Sequence, residues 1–311
     1  MPGAGLGWIG GMFCWRRSRL SQPRDVLLLG VLVFFGGSIL LQGRAGAEEK
    51  GWFRITAANL TSGNQQSYDP GHGSRILQGL RPDVVLLQEA RFGDKSLAQW
   101  LGWVQAVLGG DFVAYREKAE LPNAILSRFP ILESGSWDDP EQVNRDFAWA
   151  RLELPEGRRL LVVSVHLSAR SAEKRQNSAK ALAREITEAR VQEELLVIGG
   201  DFNVQHRHEP ALKALDRLVM TEGPYPVDEQ GNENTNRGRN KPYDGIYVSR
   251  ELHGREKAVS FGGEQLAGVT GGFVFDSRVF KDLSRVSPVQ REDSDAPQMQ
   301  HMAVVRDFSW P

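Results

Sequence analysis

Apolar and polar positions along the chain fall into short blocks with two different periods. Phe53–Ala58 (FRITAA) reads as a strand, and the unbroken apolar runs Val84–Leu87 and Leu195–Ile198 read as strands covered on both faces. Phe147–Leu154 alternates, and Ala124–Leu126 and Leu160–Leu167 are further strand candidates. Ile76, Leu77 and Leu80 predict a short helix that Arg81-Pro82 ends. Leu97, Leu101, Val104 and Leu108 recur at helical spacing over Leu97–Leu108. The longest helix is predicted from Ser171 to about Val191, with Ala179, Leu182, Ala183, Ile186 and Ala189 on one face. Pro210, at a first-turn position, opens a helix through Leu218. Tyr243–Val248 and His301–Val305 read as late strands, whereas residues 262–300 read as a long loop with a short ordered piece near Phe273–Phe280. Strands alternating with helices, with no internal repeat, predict one domain of mixed α/β type.

Residues 1–47 form a separate object. Arg16, Arg17, Arg19 and Arg24 precede an uncharged, strongly apolar stretch from Val26 to Gly43, and Ala45-Gly46-Ala47 follows. A basic flank, an apolar run and an A-x-A-like site read as an export signal cleaved after about Ala47. The alternative is an uncleaved N-terminal anchor, since 18 uncharged residues just reach across a bilayer. Either reading places residues 48–311 outside the cytoplasm as a periplasmic, secreted or membrane-anchored domain, touching membrane only through residues 26–43 if the signal stays.

Composition narrows the chemistry. Of 311 residues 41% are hydrophobic and 25% charged, the proportions of a globular chain, which argues against disorder or a fibrous repeat. Cys14 is the one cysteine, so intramolecular disulfides and cysteine-based metal sites are excluded. The formal net charge is −1, and removing residues 1–47 takes away five arginines and one aspartate, leaving −5. That balance argues against a protein that coats nucleic acid, though a local basic groove stays compatible with it.

Polar residues cluster where the apolar runs stop. Asn59 follows FRITAA, Glu89 follows VVLLQ, His166 interrupts LVVSVHL, and Asp201 and Asn203 follow LLVIGG. Asp244 opens a late strand, and His301 precedes MAVV. Side chains at strand ends converge on a crevice in α/β sheets. Carboxylates and amides there hold a hard cation such as Mg²⁺ through oxygen, and histidines manage protons near neutral pH.

At these residues the chain resembles the endonuclease/exonuclease/phosphatase superfamily, the deoxyribonuclease I-like fold. Gly199-Gly200-Asp201-Phe202-Asn203 matches its GDFN motif, Leu87-Gln88-Glu89 its LQE motif, and Ser164-Val165-His166-Leu167 its V-H-L segment. Asn123–Ile131 looks like its AILSRFPI segment, and Tyr243-Asp244-Gly245-Ile246-Tyr247 like its D-x-I strand. The segments stand in the family's order across the whole exported part. The resemblance implies an α+β, four-layered sandwich: two packed mixed β-sheets flanked by helices. It implies an enzyme, a metal-dependent hydrolase of phosphoesters by water attack on phosphorus. Glu89 and Asn59 would hold Mg²⁺, with Mn²⁺ as the substitute metal. Asp201 would orient or deprotonate water, Asn203 would donate to the phosphate or nucleophile, and His166 would protonate the leaving oxygen or stabilise its charge. Asp244 would fix the tautomer of His301, which would donate to a phosphate oxygen.

The resemblance departs from the family at two places. The family's S-D-H ending is here Gln300-His301, so Gln300 stands for an acid, or Asp295 supplies it from the loop. Asn59-Leu60-Thr61 lacks a second acid found in some members. Both changes lower the anionic charge and suggest a single Mg²⁺ site. Arg237, Arg239 and Lys241 either grip substrate phosphates or belong to a solvated turn. The substrate expectation is a phosphoester partner, with DNA or RNA placed first. An extracytoplasmic phosphatase or phospholipid or sugar-phosphate phosphodiesterase comes second, and a catalytically weak phosphoryl-ligand or partner-binding relative third. No protein partner is expected.

Overall fold

The apolar runs beginning at Phe53, Val84 and Ala124 become neighbours in one sheet, and those at Phe147, Leu160 and Leu195 in another. The computed structural model describes residues 51–191, 194–267, 269 and 271–310. Its strands are β1 (Trp52–Ala58), β2 (Val84–Leu87), β3 (Val113–Arg116), β4 (Ala124–Ser127), β5 (Ile131–Trp137), β6 (Phe147–Glu153), β7 (Arg159–His166), β8 (Leu195–Asp201) and β9 (Asp244–Val248). These are followed by β10 (Glu256–Lys257), β11 (Ser260–Phe261), β12 (Glu264–Gln265), β13 (Phe273–Phe275) and β14 (Ala303–Ser309). Helices are α1 (His72–Leu80), α2 (Leu97–Leu108), α3 (Ala172–Ala189) and the single turns α4 (Pro210–Lys213) and α5 (Arg250–His253). The first sheet has the order β10-β14-β1-β2-β4-β3, with β13 also paired to β14; the second has the order β5-β6-β7-β8-β9. Each is mixed: β1–β2 and β7–β8 run parallel and the other neighbours antiparallel.

Alternation within each strand builds the layers. Phe53, Ile55 and Ala57 of β1, with Val84 and Leu86 of β2, face Val162 of β7 and Val197 of β8 across a core between the sheets. The opposite residues Val85, Leu87 and Leu126 pack against Ile76, Leu77 and Leu80 of α1 and Trp100, Trp103 and Val104 of α2. On the far side, Leu161, Val163 and Ile198 meet Ala179, Leu182 and Ile186 of α3. The order is therefore helix, sheet, sheet, helix, the four-layered sandwich that the motifs imply. Two serines begin the longer helices: the Ser96 side chain accepts from Gln99 N–H and the Ser171 side chain from Lys174 N–H, each at 3.2 Å.

Several elements differ from the periodicity. In α2 the buried residues are Trp100, Trp103 and Val104, while Leu97 is 50% exposed; the indoles, with more area to bury, set the inner face. The helix opening at Pro210 is only one turn. β14 runs on to Ser309 through Arg306 and Asp307, whose charges hide the strand from an apolar search. Both are buried and paired, Arg306 with Glu256 and Asp307 with Arg54 of β1. Residues 262–300 are more ordered than expected. They supply β12, β13 and two 3₁₀ turns, and Phe273, Phe275, Phe280, Val286 and Met299 complete the core outside the first sheet. The short ordered piece expected near Phe273–Phe280 contains β13, and the other apolar residues of the segment follow no period. The export segment lies outside the described residues, and among the described residues no helix is long and apolar enough to cross a membrane.

Candidate active site

Register brings the strand-end residues together. His166 closes β7, Asp201 closes β8 and Asp244 opens β9, and pairing sets His166 beside Asp201 and Asp201 beside Asp244. In the other sheet Asn59 directly follows β1, Glu89 follows β2 by two residues, and His301 precedes β14 by two. Because β1 and β2 are parallel and β14 antiparallel to them, all three emerge at one end.

The two sheets approach closely beneath the site. Gly200 has φ +139°, and a Cβ there would lie 2.2 Å from Val165 O; a Cβ on Gly199 would lie 2.6 Å from Leu86 Cδ1. Gly200 is thus required by the backbone, whereas Gly199 leaves room for the Leu86 side chain of the facing sheet. Gln88 Nε2 donates to Ser164 Oγ (2.9 Å), which donates to Leu87 O (3.0 Å), and ties the sheets together. Glu89 and Asn203 both take a left-handed backbone, φ 53°, a strain that recurs at functional positions.

Asp201 Oδ2 is the point of convergence. Asn59 Nδ2 donates to it at 3.2 Å, His166 Nε2 lies 3.2 Å away and His301 Nε2 3.5 Å. Its other oxygen accepts Asn203 N–H at 2.9 Å. His301 Nδ1 meets Asp244 Oδ2 at 2.9 Å, the pairing expected from the motif. The Glu89 oxygens accept from Thr61 Oγ1 (2.7 Å) and Gln66 Nε2 (3.0 Å). All seven residues expected at the site are buried and form one constellation.

Burial shapes their protonation. Burial pushes the Asp201 carboxyl up to about 7; Asp244 and Glu89 add to this, while His301 and the Asn203 N–H oppose it. Burial also raises the Glu89 carboxyl, against hydrogen bonds from Thr61 and Asn59 and the charge of His301. In His301 burial favours the neutral ring, yet Asp244, Asp201 and Glu89 together outweigh it and bring the imidazole to about 10. His166 moves the other way, well below the usual histidine range, through burial, Arg145 and His301. The site thus holds one neutral and one protonated imidazole. A neutral ring is a poor proton donor to a leaving group, which leaves His166 the hydrogen-bonding role.

Oxygen donors suited to a hard cation are present. Asn59 Oδ1 is buried with no hydrogen-bond partner, and Glu89, to which the Asn59 amide N–H hydrogen-bonds, presents a carboxylate; these oxygen types fit a divalent cation. Asp201, Asp244 and His301 also bring donor atoms within 4.8 Å of one another. His301 Nδ1 is already taken by Asp244 and its Nε2 faces Asp201, so the Glu89 side is the better match.

The remaining candidates sort differently. Arg239 is held by Asp228 (2.6 Å) and Asp276 (3.1 Å), and Arg237 by Asp295 Oδ1 (3.2 Å) and the Ala296 carbonyl (3.1 Å). These guanidiniums brace the loops beside His301. Lys241 is half-buried on the same loop. Asp295 is exposed in its pair with Arg237, and Gln300 is exposed, so neither stands in as a buried acid next to His301. Arg145 was not singled out by any motif. It is buried, donates to the carbonyls of His166 (2.7 Å) and Leu167 (3.3 Å), and has no carboxylate within ion-pair distance among the described residues. Leu167 O also accepts from Asn203 Nδ2 (3.1 Å), so Arg145 helps fix the turn on which both His166 and Asn203 depend. Its signal in the sequence was a lone arginine opening a buried strand, indistinguishable from a surface charge.

The comparisons with known proteins agree with this architecture. Residues 74–265 match the Endonuclease/Exonuclease/phosphatase family. The chain belongs to that family, whose members are phosphoester hydrolases. Among solved structures, an endonuclease/exonuclease/phosphatase from Bacteroides vulgatus superposes with a TM-score of 0.58 at 15% identity, covering 84% of this chain and 99% of that one. A mannosyl-6-phosphatase of Bacteroides thetaiotaomicron gives 0.54 at 14% identity, with 82% and 98% covered. Truncated TDP2 of Caenorhabditis elegans gives 0.53 at 13%, with 83% and 98% covered. These likenesses concern the fold. A comparison with curated proteins returned no match.

Proposed function

We propose that the chain hydrolyses a phosphoester by Mg²⁺-assisted attack of water on phosphorus, outside the cytoplasm. The observation that carries the reading is the convergence of Asn59, His166 and His301 on Asp201 Oδ2, with Glu89 alongside. Glu89 and the orphan Oδ1 of Asn59 would hold the cation, which supplies charge stabilisation to the phosphoryl group. Asp201, poised near neutrality, takes the proton of the attacking water as the new oxygen–phosphorus bond forms. The bond from phosphorus to the alcohol oxygen breaks, and that oxygen takes up the proton that His301 holds. Asp244 keeps His301 oriented and charged. His166 and Asn203 donate hydrogen bonds, His166 from a neutral ring, and Arg145 keeps both in place.

Nucleic acid loses its lead as substrate on this reading. Arg237, Arg239 and Lys241 are its candidate phosphate grips, and the two arginines are engaged by carboxylates and carbonyls. A small phosphoester needs no such grip. The test is turnover of bis(p-nitrophenyl) phosphate and p-nitrophenyl phosphate by the full chain with Mg²⁺. EDTA is expected to abolish it, and Asp201→Asn to lower kcat by about 10²–10⁴-fold with the fold intact by circular dichroism. Full activity in Asp201→Asn would overturn the assignment.

A further inference from the structure

The loops around Glu89 and His301 present side-chain amides to solvent. Gln66 is exposed and donates to Glu89 Oε1 at 3.0 Å. Exposed Asn64, two residues earlier, accepts from Gln298 Nε2 at 3.5 Å, so the loop after β1 meets the loop before β14. Gln300, also exposed, precedes His301, whereas the amide of Asn236, whose backbone bridges to His301, is taken up by Asn240 and Lys241 in its own turn. Tyr243 adds a half-buried ring 5.8 Å from the His301 ring.

Charge at this rim is largely neutralised. Arg237, Arg239 and Arg278 pair with Asp295, Asp228 and Asp276. Of the nearby cations with no carboxylate partner among the described residues, Arg145 and Arg116 are held by backbone carbonyls and Lys95 by the Gln65 amide, which leaves Lys241 and Arg170. Two cations fall short of the roughly 6–10 phosphate contacts through which proteins grip a nucleic-acid duplex. An amide both donates and accepts, as a hydroxyl does, and needs no charge on its partner. An aromatic face beside such amides suits the C–H face of a ring.

We propose that the alcohol portion of the substrate is a neutral polyhydroxylated ring, so that the ester cleaved is a sugar phosphate. Asn64, Gln66, Gln298 and Gln300 receive its hydroxyls while the phosphoryl group sits between Glu89 and His301. This rests on the hydrolase reading above and names the substrate class of the same site. A site built to hydrogen-bond hydroxyls discriminates strongly against an analogue lacking them, because its polar groups are then left unpaired.

The experiment compares kcat/KM of the full chain with Mg²⁺ for glucose 6-phosphate, n-hexyl phosphate and supercoiled plasmid, with bis(p-nitrophenyl) phosphate and p-nitrophenyl phosphate as generic substrates. Glucose 6-phosphate and hexyl phosphate share a primary alkyl leaving group and differ in hydroxyls. The methyl diester of glucose 6-phosphate separates a terminal from a bridging phosphate, and preference for either sugar ester supports the proposal. The expected result is a preference of about tenfold or more for a sugar ester over hexyl phosphate. Gln298→Ala and Asn64→Ala should shrink that ratio several-fold, mainly by raising KM for the sugar ester, whereas a merely structural role would move both substrates together. Generic turnover with no sugar preference, or plasmid nicking as the fastest reaction, overturns the substrate class and leaves the hydrolase reading standing. No turnover of any ester overturns both.

Discussion

In the proposed mechanism Asp201 and His301 carry opposite demands on pH. Asp201 must be ionised to accept a proton, and its carboxyl is raised to about 7 by burial among Asp244 and Glu89. His301 must be protonated, and three carboxylates keep it so up to about 10. The expected kcat/KM profile is a bell, rising on an acid limb at or below about 7 and falling on an alkaline limb near 10. A cation on Glu89 favours ionised Asp201 and, by cancelling the share of Glu89 in holding the His301 proton, also favours the neutral imidazole, so it moves both limbs downward. A steady-state pH series for bis(p-nitrophenyl) phosphate checks this, and a rate rising monotonically through pH 10 would contradict it. At this scale the sequence was legible for Asn59, Glu89, His166, Asp201, Asn203, Asp244 and His301, because each sits where an apolar run ends. It was not legible for Arg145, Thr61 or Gln66. Their roles come from contacts made across long stretches of chain, such as Thr61 with Glu89 and Arg145 with the carbonyl of His166.

Elements were legible where burial follows a period. β2, β7 and β8, covered on both faces, and α3, with its serine cap, stand close to their expected places. β3 and β5, at sheet edges, were not, since edge strands carry polar residues, and of the segment 262–300 only the piece near Phe273–Phe280 was, since Val286, Val289 and Met299 are buried at irregular spacing. The paired glycines of β8 give the sharpest test of an element. A methyl at Gly200 would press on Val165 O and Gln88 Nε2 in a backbone conformation that side chains avoid. Gly200→Ala is expected to cost about 2–5 kcal/mol, from backbone strain and overpacking together. Urea unfolding measures it, and a loss under about 0.5 kcal/mol would show that the sheets do not close as described.

For the whole molecule, the buried carboxylates set the pH dependence of stability. Glu117, buried and accepting Asn123 N–H (2.6 Å) and Asp146 N–H (3.0 Å), is pushed up to about 8 by burial. Asp201, Glu89 and Asp139 are raised as well. A raised carboxyl keeps its proton in the folded state after the unfolded chain has lost it, so stability falls as pH rises from about 4 to about 8. His301 adds in the same direction, its contribution complete below about 6.5 and lost as pH rises through about 10. The lowered His166 acts oppositely, removing stability as pH falls below about 6.5. The urea midpoint is therefore expected to decline from pH 6 to pH 9. Mg²⁺ at pH 8 should restore about 2.7 kcal/mol when present at a hundredfold excess over its dissociation constant. A midpoint that climbs toward pH 9, or ignores Mg²⁺, would contradict this.

The central claim is that Glu89, raised by burial and neighbour to Asn59, holds the cation that the proposed reaction needs. A Mg²⁺ titration of bis(p-nitrophenyl) phosphate turnover by wild type and Glu89→Gln tests it most directly. The account expects half-activation in the variant to need about a hundredfold more Mg²⁺, as loss of an anionic oxygen ligand implies. Identical Mg²⁺ dependence in the two proteins would contradict it.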